Sequence, residues 1–432
     1  MRPPRGHEHR TRRRPGGREG SPNPGRVAAV QALMAVEDGA FLEDVLDGAP
    51  LRPNDRGLAW FVAHGALRRR ASIDAALRPF LRTPLGGLDA GVRATLRAAT
   101  FERLHGRAQA HAVVHEAVET ARVVGVGRAS GLVNAVLRRV CASNTLSRDE
   151  ALEHPAWIIE RWTERYGVAA TDAWCETNNE PPPLTLVGPD VSAWGPAIES
   201  DGRTLTPAHA AGQPVQDAVV VQGHRGPIDG LPGFAEGRFW VQDAAAVAVA
   251  DLASVAPEGT VLDACAAPGG KAFRLASQGA RVTAVDRSET RLERVLASRT
   301  RLGLDLTCKR HDWSTGPLPD GATYDVVLVD APCTALGTLR RHPEVRWRRH
   351  PGDFEAAGER QRSILEAVIP HVAQGGRLVY AACSPEPEEG AAHVAWMATL
   401  HPELELQHTW SSAPPTHGED AHQAVVWQRR TA

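Results

Sequence analysis

Asp263-Ala-Cys-Ala-Ala-Pro-Gly-Gly-Lys271, followed at helical distance by Val285-Asp286, decides the fold of this chain. The apolar run Val261-Leu262 leads into the first stretch as a buried strand, and Val282-Thr-Ala-Val285 leads into Asp286 as a second. Gly269 and Gly270 allow the backbone to approach a ligand closely, and Pro268 stiffens the entry to the turn. The wording differs from the Gly-x-Gly-x-x-Gly of dinucleotide sites. A strand ending in such a turn, with an acid at the end of the next strand, suits a Rossmann-like sheet holding a nucleoside cofactor over Cys265, Ala266, Ala267, Pro268, Gly269, Gly270 and Lys271. Asp286 is placed to accept both ribose hydroxyls. Asp312, after Lys309-Arg-His311, sits at another strand end where it suits an adenine amino group.

The same pattern extends outward. Asp325-Val-Val-Leu-Val329 and Arg377-Leu-Val-Tyr380 are further runs of buried-strand type. Between the runs lie helices from Ser288 to Leu302, with Leu292, Val295, Leu296 and Leu302 inward, and from Asp353 to Ile369, with Phe354, Ala357, Ile364, Leu365 and Val368 inward. Such alternation predicts a mostly parallel sheet covered on both faces, with ligands at the carboxyl ends of its strands. Asp263, Asp286, Asp330 and Cys383 all fall at those ends.

Two cysteines share that setting, in Asp330-Ala-Pro-Cys333 and Tyr380-Ala-Ala-Cys383-Ser384. Paired thiols suit covalent catalysis on a pyrimidine. Cytosine C5 is a poor nucleophile, and a thiolate adding to C6 turns the ring into an enamine-like species. An acid near N3 must then receive the developing charge, a role open to Asp330. One cysteine serves as nucleophile and a second assists release, and residue types alone leave open which is which. The other four, Cys141, Cys175, Cys265 and Cys308, are expected to be structural.

From Val27 to about Asn144 the chain reads as all-helical. Val114, Ala117, Val118 and Ala121 form one apolar stripe, and Leu132, Val133, Val136, Leu137 and Val140 form another, with Arg138 and Arg139 outward. Asn54-Asp55-Arg56 is a plausible helix start. Residues 146–236, broken by Pro181-Pro-Pro183, predict a small α+β module bridging two larger domains. Residues 1–26 carry eight arginines against two glutamates and read as a disordered basic tail able to gather phosphate.

At 432 residues with a formal net charge of -2, the whole molecule is no electrostatic magnet for nucleic acid. No stretch is apolar enough to span a membrane, and no apolar segment follows the basic N-terminus as in a signal peptide. The cysteines lack metal-ligand spacing, so no metal is expected, and free thiols suggest a reducing cytoplasm. Arg340, Arg341, Arg346, Arg348 and Arg349, beside His342 and Trp347, form a basic and aromatic cluster of the kind that clamps phosphates and stacks bases.

Two family resemblances follow from these residues. Asp55-Arg-Gly-Leu-Ala59 with Gly65-Ala-Leu-Arg68, His111-Ala-Val-Val-His-Glu-Ala-Val118 and Leu132-Val-Asn-Ala-Val-Leu-Arg-Arg139 resemble the NusB family of helical domains, which implies RNA binding. Asp-Ala-Cys-Ala-Ala-Pro-Gly-Gly-Lys, Asp-Ala-Pro-Cys and Tyr-Ala-Ala-Cys-Ser, in this order, resemble the RsmB/NOP/Sun family of RNA cytosine-5 methyltransferases. Leu339-Arg-Arg-His-Pro-Glu-Val-Arg-Trp347 is similar to the branch of that family carrying a NusB-like domain.

The second resemblance implies S-adenosylmethionine at Cys265–Lys271, Asp286, Asp312 and Asp330, with Cys383 as nucleophile and Cys333 promoting release. It implies an RNA substrate, small-subunit ribosomal RNA above all, and the place of the basic and aromatic cluster directly after the Cys333 motif points to RNA contacts at Arg340, Arg341, Arg346 and Trp347. The expected architecture is a NusB-like all-α bundle at 27–145, the α+β module at 146–236 and an α/β Rossmann-like class I methyltransferase domain at 237–432, acting as a monomer. The alternative is an RNA-binding assembly or antitermination factor with an inert methyltransferase domain. Departures from the family's wording occur at Val241-Gln-Asp-Ala-Ala-Ala246, at Gly390 in place of an asparagine, and at Gly418–Trp427.

Overall fold

The computed structural model describes residues 21–140, 147–224, 226–416 and 418–431. They fall into two compact units, the first ending at Leu146 and the second beginning at Ser147. Residues 1–20 and Cys141 lie outside the described residues.

The first unit is helical, with its longer helices at Pro24–Glu37, Pro53–Arg68, Ala90–His105 and Ala110–Val123. The first of these begins inside the predicted tail. Asn23 caps it, its side-chain oxygen accepting from Gly25 N at 2.8 Å, and Arg26 pairs with Glu102 at 2.9 Å. The predicted start at Asn54 is replaced by Pro53, whose missing N–H is harmless in a first turn. Ala117, Ala121, Val133, Val136, Leu137 and Val140 are buried as the stripes predict, whereas Leu132 is 41% exposed. Gly65 is where two helices close on each other. A Cβ there would lie 1.9 Å from the Phe101 ring.

The second unit holds two sheets. The smaller comprises β1 (Leu184–Val187), β2 (Thr204–Ala210), β3 (Gln213–Gln222) and β4 (Trp240–Val241), antiparallel in the order β2-β3-β1-β4. β4 lies beyond the predicted module limit at Glu236, and the departing stretch Val241–Ala246 runs from this strand into the start of helix Ala244–Asp251. A helix pair, Ala156–Tyr166 and Val168–Asn178, stacks Trp162 on Trp174 with ring centroids 4.0 Å apart. These rings share a core with Leu336, Leu339, Val345 and Phe354 from the half that holds the larger sheet. The module is therefore packed into that half rather than strung out as a bridge.

The larger sheet comprises β5 (Thr260–Asp263), β6 (Arg281–Asp286), β7 (Leu306–Arg310), β8 (Tyr324–Asp330), β9 (Val372–Ala382), β10 (Leu404–Ser411) and β11 (Gln423–Arg429). Its order is β10-β11-β9-β8-β5-β6-β7, parallel from β9 to β7 and antiparallel at β10 and β11. Val261, Leu262, Val327, Leu328, Val379 and Tyr380 are fully buried, as continuous apolar strands covered on both faces must be. Helix Asp353–Val368 buries the five residues predicted for it. Helix Glu289–Leu302 buries Leu292 and Val295 but leaves Leu296 40% exposed, so its packed face is narrower than its apolar pattern. The chain leaves β5 toward β6 and β7, then returns to β8 on the other side. The switch point, where ligands settle in such sheets, lies between β5 and β8.

Arg346 is a structural bolt between module and sheet. It is fully buried, and its guanidinium donates to Glu153 O (3.0 Å), Asn179 Oδ1 (2.9 Å), Asn178 O (3.1 Å) and Leu339 O (3.1 Å). Arg346→Ala would strand these buried acceptors, and we expect it to destabilise the chain by about 3 kcal/mol or more. Urea unfolding checks this; a midpoint unchanged from the parent would show that the bolt carries no load.

Candidate active site at the carboxyl edge of the large sheet

β8 and β9 are parallel neighbours in a register that places Asp330 opposite Ala381. Each chain turns sharply just past that point, so Cys333 and Cys383 emerge side by side. Their sulfurs are 3.1 Å apart, both half-buried and not joined. Two backbone bonds reinforce the placement, from Ala331 N to Ala381 O (2.9 Å) and from Gly337 N to Cys383 O (3.0 Å). Gly337 has no room for a side chain, since a Cβ would lie 1.8 Å from Ala421 O.

The hydrogen bond to Cys383, then burial, then the nearby charges of Cys383 and Glu389, push the Cys333 thiol well above its ordinary range. Cys333 therefore keeps its proton. Lys271 lies within the electrostatic reach of Cys383 and donates to Asp330 Oδ2 at 2.7 Å. Burial opposes the lysine's charge, yet Asp330, Cys383 and Asp263 together raise its pKa. A cation therefore lies within electrostatic reach of Cys383.

The cofactor loop takes its shape from local sequence. Gly269 adopts φ +114°, and a Cβ there would strike the Phe273 ring at 2.3 Å; at Gly270 it would meet Gln242 at 2.9 Å. Helix Gly270–Ser277 starts on this turn, and its first amides lack intrahelical acceptors, which suits a carboxylate. Asp286 is buried and accepts from Ser288 N (2.9 Å) and Ala267 N (3.3 Å), fixing the loop against β6. Asp312 is exposed, one strand farther along the edge, and accepts from Ser314 N at 3.0 Å. Cys265 is also on the edge, where burial and then Asp263 push its thiol up so that it stays protonated.

Asp263 is the unpredicted member of this group. It is 1% exposed, and neither carboxylate oxygen has a hydrogen bond of good geometry, only the Cys265 amide lying close. Burial, then the charge of Asp330, raise its pKa to about 7. An orphaned acid beside free helix-start amides fits the ammonium and carboxylate of an amino-acid moiety, and the edge from Asp263 to Asp312 fits a nucleoside. The motif Asp263–Lys271 contained the signal, but nothing in it distinguishes a buried acid from a strand-end one.

The predicted RNA-contact cluster is largely internal. Arg346 is the bolt described above. Arg341 donates to Asp420 Oδ2 (2.6 Å) and Asp243 Oδ2 (2.7 Å), tying the C-terminal loop to the start of helix Ala244–Asp251. Arg340 donates to Pro181 O (3.2 Å) and Gly418 O (3.0 Å), and Arg349 to Thr334 O (2.8 Å). A planar guanidinium with five donors satisfies several carbonyls at once, which is why these arginines serve the fold. Trp347 and Arg348 are half-buried and keep some surface.

The departures from the family's wording are also accounted for. Gly390 leaves the space filled by the Gln423 amide, which donates to Ser384 O (2.7 Å) and Glu386 O (2.8 Å); a Cβ at 390 would lie 1.7 Å from it. His422 is buried beside Lys271, and burial and then that cation lower its pKa to about 4, keeping the imidazole neutral. Sequence reasoning missed Glu389, which is fully buried behind both cysteine loops. Among the described residues there is no group of three or more His, Cys, Asp or Glu side chains able to hold a metal, and no helix long and apolar enough to cross a membrane.

A parallel sheet with a cofactor loop at its switch point and two thiols alongside defines an S-adenosylmethionine-dependent RNA methyltransferase. Residues 251–430 match the 16S rRNA methyltransferase RsmB/F family, 23–142 the NusB family, and 154–187 the ferredoxin-like domain of RsmF/B-like methyltransferases. Ribosomal RNA small subunit methyltransferase B of Citrobacter koseri is 32% identical over 90% of this chain and 94% of its own. The protein of that name from Xanthomonas campestris pv. campestris is 34% identical over 94% and 93%. The chain belongs to the RsmB/F family of ribosomal RNA methyltransferases. The fold of PH0851 matches with a TM-score of 0.81, at 22% identity, over 94% of this chain and 99% of that one. NSun6 from Pyrococcus horikoshii, solved with the S-adenosylmethionine analogue SFG, matches at 0.53 and 18% identity over 64% of this chain and 99% of its own.

The raised pKa of Asp263 has a stability consequence in the ligand-free chain. Stability from its protonated form is complete below the unfolded value of 3.8 and is lost as pH rises through about 7. Asp263→Asn removes this slope. Its advantage over the parent in urea unfolding should be about 2 kcal/mol greater at pH 8 than at pH 5. An advantage independent of pH would mean that Asp263 does not titrate in that range.

Proposed function

We propose that this chain methylates C5 of a cytosine in small-subunit (16S) ribosomal RNA through a covalent adduct between Cys383 and C6 of the base. The 3.1 Å approach of the two sulfurs, beside the Lys271–Asp330 pair, carries the reading. The first unit, from its likeness to the NusB family, is proposed as the platform that grips the RNA and offsets the cost of unstacking the target base. Free thiols at the reacting edge suit a reducing compartment, and the cytoplasm is the proposed location. Convergence of thiols, cation and acid on one edge gives no support to an inert domain.

The chemistry then follows from the side chains. The two sulfurs share a hydrogen bond and Lys271 lies within electrostatic reach of Cys383, and in this reading Cys383 attacks as the thiolate. Its sulfur forms a bond to C6; the C5=C6 pair moves to C4=C5, and the C4=N3 pair moves onto N3. A proton from the Asp330–Lys271 pair neutralises N3 and leaves C5 an enamine carbon. S-adenosylmethionine, held by the Asp263–Lys271 loop and Asp286, supplies a methyl group on a sulfonium sulfur. Once Cys383 is bonded to carbon, Cys333 loses both the hydrogen bond and the charge that kept it protonated. It releases its proton to solvent and takes the proton from C5. With the C4=C5 pair spent on the new C5–methyl bond, the N3 pair rebuilds C4=N3 as N3 returns its proton to the Asp330–Lys271 pair; the C5–H pair rebuilds C5=C6, and the S–C6 bond breaks with its pair returning to Cys383.

Cys383→Ala should lower methyl transfer by at least about 10⁴-fold with cofactor affinity retained, since the covalent route has no substitute. Incorporation of labelled methyl into 16S rRNA measures it, and turnover near the parent's would remove Cys383 from the nucleophile role. Cys333→Ala should instead accumulate a protein–RNA adduct that survives denaturing electrophoresis. Free RNA alone on such a gel would count against release by Cys333.

A further inference from the structure

We propose that Glu389 is a positioning residue that holds Cys333 and Cys383 at working distance by bonding to both cysteine loops at once. The inference rests on the reading that both thiols act on one base. Glu389 ends the single turn Pro387–Glu389, six residues past Cys383, and is fully buried. Its Oε1 accepts from Thr334 N (2.8 Å) and Gln361 Nε2 (3.0 Å). Its Oε2 accepts from the hydroxyls of Thr334 and Ser384. Thr334 directly follows Cys333, and Ser384 directly follows Cys383.

The surroundings make this carboxylate a fixed point. Gln361 also donates to Pro332 O (3.1 Å), just before Cys333, while His393 Nε2 meets Gln361 Oε1 at 2.8 Å. Tyr380 OH donates to Glu389 O at 2.8 Å, holding the backbone of the turn to β9. All the hydrogen-bond donors to the carboxylate are neutral. A buried carboxylate held only by neutral groups is costly to keep, and packing alone would be as well served by a glutamine of equal size. What a glutamine lacks is the capacity to accept from both loops through both terminal atoms. The charge of Glu389 also disfavours a Cys333 thiolate, which matches the division of roles between the thiols.

Glu389→Gln in the full chain tests this with two readouts. A loss of alignment on the scale of 1 Å should lower kcat roughly a hundredfold while KM for cofactor and RNA stays within about twofold. The second readout needs neither cofactor nor RNA. Equilibrated against glutathione disulfide, Cys333 and Cys383 each lose a proton and an electron to form a mutual disulfide, and the oxidant becomes two glutathione thiols. Peptide mass mapping of that 333–383 link gives the effective concentration of one thiol toward the other, which should fall at least about tenfold. Ser384→Ala, which deletes one hydroxyl, should shift both readouts in the same direction by a smaller factor, and it decides the matter if Glu389→Gln fails to fold. A lowered melting temperature with both readouts intact would reduce Glu389 to a packing residue. Turnover by Cys383→Ala would overturn the nucleophile reading instead, leaving the disulfide equilibrium to judge Glu389 alone.

Discussion

Everything at the reacting edge depends on the parallel pairing of β8 with β9 in one register, Asp330 opposite Ala381. Side chains alternate faces along a strand, so a slip of one residue would turn every buried side chain of β9 to the opposite face and shift Cys383 away from Cys333. The pairing is protected by burial on both sides, with Val327, Leu328, Val379 and Tyr380 inaccessible to water. It is extended past the strand ends by the bonds through Ala331, Gly337 and Glu389. The sheet thus does two things for chemistry. It sets two thiols beside each other, and it places a lysine from the neighbouring loop within electrostatic reach of Cys383.

The electrostatics of the edge are arranged by burial more than by net charge. Asp263, Lys271 and His422 are shielded from water and Cys333 is half-buried, so each responds strongly to its neighbours. Lys271 is kept charged by acids on two sides, His422 is kept neutral, and Cys333 is kept protonated. Such coupling gives acid and base roles to groups of ordinary type within a few ångströms.

Much of this was legible in the chain. Strand ends at Asp263, Asp286, Asp330 and Cys383 are marked by apolar runs that stop abruptly, and a parallel sheet brings such ends to one edge whatever the details. Short-range pattern failed where partners are remote. Arg346 bonds to residues 167 and 193 positions away, and Arg341 to one 98 away, so no local reading separates a bolt from a phosphate clamp. β4, only two residues long, exists because β1 offers it an edge, and the antiparallel β10 and β11 lack a helix between them to announce themselves. Glu389 was hidden for the same reason, since the donors it joins lie up to 55 residues apart from it.

Gly390 and Gln423 show how a departure from family wording can be absorbed without harm to the edge. The amide of Gln423 occupies the volume in which any side chain at 390 would begin, and it bonds the carbonyls that follow Cys383. The two positions, on different elements, therefore form a single heritable unit. A drift at either one alone passes through a collision or a void next to the Cys383 loop, so lineages should exchange them as a pair or not at all.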